Sequence, residues 1–275
     1  MKNKNIYRNY VNLKSGQVHI RISGKEKNDR RPLVCFHLSP VSGIIFEKLM
    51  MEMGQDRLII APDTPGFGMS DYISSEPTIR DYAKVMKDLI NKLKIQNLDI
   101  MGYHTGSKIC VELANLIQER INHLILISAP IYKKNELEEQ HKNMGNYTAP
   151  KGDGSHLIKA WNGLWKWRGP NQMPTDIMKI FPDQIKGGHK SHWGHKAAFS
   201  YTYPERIKNI KIPILVINTK DDLFNYTKRI KKYLINGKIF EKKDWGHGFL
   251  DHNTKEIAKY TRNFLDKNEW PREAP

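Results

Sequence analysis

The chain is short of cysteine, of acidic side chains and of long apolar runs, and each shortage closes off a class of protein. Two cysteines, Cys35 and Cys110, cannot build a disulfide framework. The fold must therefore stand on its core, and two buried free thiols in a reducing cytoplasm are expected. No apolar stretch approaches 18 residues and the mean hydropathy is −0.63, which excludes a membrane-spanning helix. The first residues, Met1 to Asn5, lead into alternating polar and apolar positions rather than a signal-peptide apolar region, so a cytoplasmic protein is expected. Asp and Glu number 29 against 45 Lys and Arg, a net charge of +16. Such a balance raises the question of a nucleic-acid partner. The basic residues are 33 Lys and only 12 Arg, alongside 21 Asn and 10 Ala. That is the signature of AT-rich codons written onto solvated faces. They are also scattered in pairs such as Lys133-Lys134, Lys231-Lys232 and Lys242-Lys243 rather than gathered in one block. No specific nucleic-acid or membrane partner is expected, and the oligomeric state is left open.

What is present is a globular pattern: 275 residues, 39% hydrophobic, enough for one sizeable core. Short apolar runs at residues 32–36, 58–61, 98–103, 124–127 and 214–217 alternate with amphipathic stretches at 44–53, 79–93, 107–120 and 254–264. Runs apolar on both faces suit central parallel strands covered by helices on each side. The alternation predicts a doubly wound, mostly parallel α/β sheet. It breaks between about 131 and 203, where the chain is polar, helical in period and rich in Trp, His and Gly. The expected organisation is a core of residues 1–131 and 204–275 with a helical lid at 132–203. On the lid, Leu157, Trp161, Leu164 and Trp165 share one helical face. They suit a substrate wall, or packing against the sheet.

The segment Leu98-Asp99-Ile100-Met101-Gly102-Tyr103-His104-Thr105-Gly106-Ser107 carries the most chemistry. It reads as a strand, a tight turn and a helix, with glycines two before and two after His104. A Cβ at either glycine would collide with the neighbouring elements, and the turn lifts the central side chain into the open above the sheet. This is the G-x-S-x-G nucleophile elbow with His in place of Ser. Around it, in order, stand His37-Leu38-Ser39-Pro40, the turn from Asp63 through Pro65-Gly66-Phe67-Gly68 to Ser70, then Thr219-Lys220-Asp221-Asp222, and Gly246-His247-Gly248.

On these motifs the chain resembles the α/β-hydrolase superfamily, in its epoxide hydrolase, haloalkane dehalogenase and esterase-like branch. The resemblance covers nearly everything outside the lid. It implies His104 at the nucleophile position, Asp222 as the acid and His247 as the base. By the G-x-x-D count from Thr219, Asp221 is left as a solvated or helix-capping carboxylate, and a slip of one residue in that count reverses the two. Backbone N–H groups of Ser39 and Thr105 would form the oxyanion hole. Tyr103, Trp161, Trp165 and His195 are weaker substrate-binding candidates, and Asp63 and Gly66 are structural. His189, His192 and His195 have no thiolate or acidic partner nearby, so no zinc is expected there.

His104 leaves three active readings open. It attacks an acyl carbon itself, or acts with His247 to activate water or remove a substrate proton. Alternatively, His104, His247 and Asp222 ligate a metal. The expectation is a metal-free, cofactor-free hydrolase of a small ester, thioester, lactone or C–C bond beside a carbonyl. A cofactor-free lyase and a non-catalytic small-ligand receptor are the alternatives.

Overall fold

A computed structural model describes residues 6–144 and 148–271. Eight strands form one sheet: β1 (Tyr7–Leu13), β2 (Gly16–Ser23), β3 (Leu33–Phe36), β4 (Ile59–Pro62), β5 (Leu98–Tyr103), β6 (Ile121–Ile127), β7 (Ile214–Thr219) and β8 (Gly237–Lys242). Their spatial order is β1-β2-β4-β3-β5-β6-β7-β8. β1 and β2 pair antiparallel, β2 runs antiparallel to β4, and the pairings from β4 through β8 are parallel. The central strands β3, β4, β5 and β7 are buried at every position. Their unbroken apolar runs meet that requirement.

Helices cover both faces. α1 (Glu47–Met53) and α11 (Thr254–Lys267) lie over one apolar layer, with Leu33, Met101, Ile125 and Leu215 beneath them. α2 (Ile79–Lys92) and α3 (Thr105–Ile117) lie over the other, with Val34, Ile100, Leu124 and Val216. α2 starts cleanly because Thr78 and Asp81 form a reciprocal capping box. Cys35 and Cys110 are both buried free thiols.

Between β6 and β7 the chain leaves the sheet through α4 (Lys134–Met144), α5 (Ser155–Lys166), α6 (Pro174–Lys186), α7 (Trp193–Phe199) and α8 (Tyr203–Ile207). α8 returns to the core, where the Tyr203 hydroxyl reaches Ser107 Oγ at 3.2 Å. Short helices α9 (Phe224–Thr227) and α10 (Phe249–His252) follow β7 and β8. β4 lies beyond β3 on one side and β5 lies on the other, so the chain changes winding direction there. The loop after β3 and the turn after β5 open into that crevice, where ligands of open α/β sheets bind.

Candidate active site

The elbow is built by two glycines and a strained residue. His104 has φ 49° and ψ −110°, a region that non-glycine residues enter at a cost of about 1–3 kcal/mol. Its backbone N–H donates to Ile127 O at 3.0 Å, and its carbonyl accepts from Ser107 N at 2.9 Å. A Cβ on Gly102 would lie 2.3 Å from Gly106 O, and one on Gly106 would lie 2.0 Å from Phe36 O. No side chain fits at either place, so the imidazole is presented above β5.

Two histidine–carboxylate pairs meet at this point. His104 Nε2 donates to Asp221 Oδ2 at 3.0 Å, and His247 Nε2 to Asp222 Oδ1 at 2.9 Å. The two rings stand edge to face with centroids 5.3 Å apart. The Tyr103 hydroxyl lies 3.2 Å from His247 Nδ1. Asp221 therefore differs from its expected place. Its side chain is fully buried, and its Oδ2 also accepts from Ser128 Oγ at 2.6 Å and Thr219 Oγ1 at 3.0 Å. Only its Oδ1, which accepts from Leu223 N at 2.9 Å, plays the capping part. Consecutive residues leaving a strand point to opposite sides. Two adjacent aspartates after β7 thus reach two different imidazoles, and that Asp-Asp pair was the available signal.

Burial opposes the charge on both carboxylates, and the imidazoles prevail. Asp222 is held below its usual range by the His247 bond and His104, and Asp221 by His104, His247 and Ser128. Burial also opposes the cation on His247, but the Asp222 bond and both carboxylate charges raise its pKa.

The oxyanion-loop candidates stand close by. Ser39 and Thr105 are buried, and Thr105 opens α3, where backbone N–H groups and the helix dipole favour negative charge. His37 holds the loop rather than the substrate. Its Nδ1 donates to Leu38 O at 2.8 Å while Thr64 N donates to its Nε2 at 2.8 Å. Asp63 is likewise structural, bonded by His19 and Arg21 and by the backbone N–H groups of Gly43 and Met69.

A cavity of about 650 Å³ opens over the site, and Tyr103, His104, His195, Asp222 and His247 line it. Burial, with the charge of His104, pulls the His195 pKa down to about 4, so this ring is neutral near pH 7. Trp161 and Trp165 are not among the cavity's lining residues. α5 gives the cavity Leu157, Ala160 and Leu164, with Trp167 just beyond its end. Trp161 instead packs edge to face on Phe181 of α6, and the Arg168 guanidinium sits 3.9 Å over the Trp165 ring. Packing of α5 on α6 claims that flank of the apolar stripe. Trp193 meets Tyr72 and Lys190.

Residues 31–254 match the family model for the alpha/beta hydrolase fold. Proline iminopeptidase of Lactobacillus acidophilus is 25% identical over 291 residues, covering 92% of this chain and 96% of that protein. An N-acyl homoserine lactonase complexed with N-hexanoyl homoserine superposes with a TM-score of 0.77 at 17% identity, covering 98% of this chain and 100% of that one. The enol-lactonase of Burkholderia xenovorans LB400 gives 0.76 at 16% identity, covering 94% and 100%. The chain belongs to the α/β-hydrolase fold family and is a hydrolase-family enzyme.

Proposed function

We propose that the protein hydrolyses a small ester, thioester or lactone carrying an apolar acyl portion, with water as the attacking group. The observation that carries this reading is the chemistry of the elbow. The side chain at the nucleophile position is an imidazole with Nε2 committed to Asp221, and it stands 5.3 Å from a second imidazole with its own carboxylate. The names of matched proteins, lactonase, enol-lactonase and proline iminopeptidase, denote hydrolysis at an acyl carbonyl. The walls contributed by Val41, Ile45, Leu157, Leu164, Ile177 and Ile180 favour an apolar acyl chain.

Water held between the two pairs adds to the carbonyl carbon, and the carbonyl oxygen becomes an oxyanion facing the N–H groups of Ser39 and Thr105. The proton released by the water passes through the histidine–carboxylate pairs to the departing alkoxide or thiolate as the acyl bond breaks. The acid and the alcohol, or the thiol, are the products.

The test is a series of p-nitrophenyl esters and acyl lactones of increasing chain length, with intact-mass analysis of rapidly quenched enzyme. Turnover without a mass adduct is expected, and His104→Ala is expected to lose on the order of 10²–10⁴ in kcat/KM. An acyl adduct on the enzyme would overturn water as the nucleophile. Unchanged turnover in His104→Ala would remove the elbow from the reaction.

A further inference from the structure

The four polar side chains of the site converge as well as pair. One donor atom from each of His104, Asp221, Asp222 and His247 lies within 4.8 Å of the other three. In a tetrahedral site, bonds of about 2.1 Å hold the ligands about 3.4 Å apart, so the paired contacts of 3.0 and 2.9 Å need to open only slightly, and the wider separations to close, for one ion to enter. We infer that the protein binds one divalent transition-metal ion, zinc in the first instance, through His104, His247, Asp221 and Asp222.

Three features favour an ion over a relay of protons alone. The first is the orientation of His247. A base serving the elbow residue turns its free nitrogen to that residue. Here Nε2 faces Asp222 and the other nitrogen, Nδ1, faces the Tyr103 hydroxyl at 3.2 Å. A ligating imidazole behaves in this way, with the second nitrogen resting on a neighbouring oxygen that fixes the ring.

The second feature is charge. Side-chain exposure is 0% for Asp221 and 28% for Asp222, and among the described residues their ion pairs are with these two imidazoles. Two carboxylates converge here in a partly enclosed site, and a divalent cation between them would be a stronger counter-charge than either imidazole. Two nitrogens and two oxygens are a donor set that zinc accepts readily, with manganese and iron(II) behind it.

The third is the surround of Asp221. Ser128 and Thr219 donate to its Oδ2, and such outer bonds orient a ligating carboxylate. The inference rests on the water-nucleophile reading above, because the ion would lower the pKa of the attacking water.

The test uses the full chain without a histidine tag, stripped with a chelator and dialysed. Zinc is added by calorimetric titration, and cobalt(II) in parallel with visible absorption as the readout. One equivalent per chain is expected, with visible bands of a low-symmetry cobalt site and a rise in Tm on loading. His104→Ala and Asp221→Asn should each weaken binding at least tenfold, whereas His252→Ala, on the exposed Asp176 pair, should bind as wild type does. Wild type taking up no more zinc than His247→Ala would overturn the inference. Should the site variants fail to fold, wild type without visible bands at saturating cobalt overturns it alone. Ester hydrolysis without metal and without an acyl adduct would sink the ion and leave the water reading standing. An acyl adduct on a zinc-loaded enzyme would do the reverse.

Discussion

Lys108 lies one helical turn beyond the elbow, and its charge should weigh on the whole fold. Its side chain is buried on α3, and burial lowers its pKa from 10.5 to about 7. Each pH unit between those values is worth about 1.4 kcal/mol, so carrying the cation inside costs the fold about 5 kcal/mol. The ammonium lies 4.3 Å from the centre of the Tyr203 ring. The native state releases its proton near pH 7 while the unfolded chain keeps it to about 10.5. The unfolded state therefore binds more protons between those values, and stability rises with pH through that window. Below pH 7 both states are protonated and the full cost is present. Lys108→Met keeps the length of the side chain and removes the charge. Urea unfolding at pH 6 should show it more stable than wild type by up to about 5 kcal/mol, with the gap narrowing above pH 7 and closing near pH 10.5. Parallel curves for the two proteins across this range, with no gain at pH 6, would refute the argument and mean that the ammonium reaches water.

Three further outcomes are expected. Asp221→Asn should lower stability by about 2–4 kcal/mol, because a fully buried oxygen loses its charge-assisted bond. Asp222→Asn, partly exposed, should cost under about 1 kcal/mol, and thermal melts of the pair decide between them. Gly106→Ala should fail to yield folded protein, since its Cβ would sit 2.0 Å from Phe36 O. Gly163→Ala, with nothing within 4 Å of the added carbon, should gain about 0.5–1 kcal/mol of helix stability as the control. Gly169→Ala should cut turnover more than it cuts stability. Gly169 N donates to His247 O at 3.0 Å, and a Cβ there would lie 2.1 Å from that same oxygen. Steady-state kinetics alongside melts test this, and an unchanged kcat would separate the lid from the positioning of His247.

The alternation of apolar runs and amphipathic stretches was enough to specify a doubly wound sheet. Both signals are local: a strand covered on both faces must be apolar throughout, and a helix on that sheet must be apolar on one side. The elbow was equally legible, because Gly102 and Gly106 are demanded by backbone approach, and that demand is written into the residue types. The partner of each imidazole was another matter. Counting along the chain assigned Asp222 to His247, but it could not reveal that Asp221 turns inward to His104. The partners are 117 residues apart in sequence, and only the parallel register of β5, β6 and β7 brings them together. Trp161 turned from the cavity for a related reason. Periodicity names the apolar side of α5 and not the neighbour that takes it, and α6 took it through Phe181. Residue types and spacing thus determine each element and its turns, whereas which side chains converge is decided by packing between elements distant in the chain.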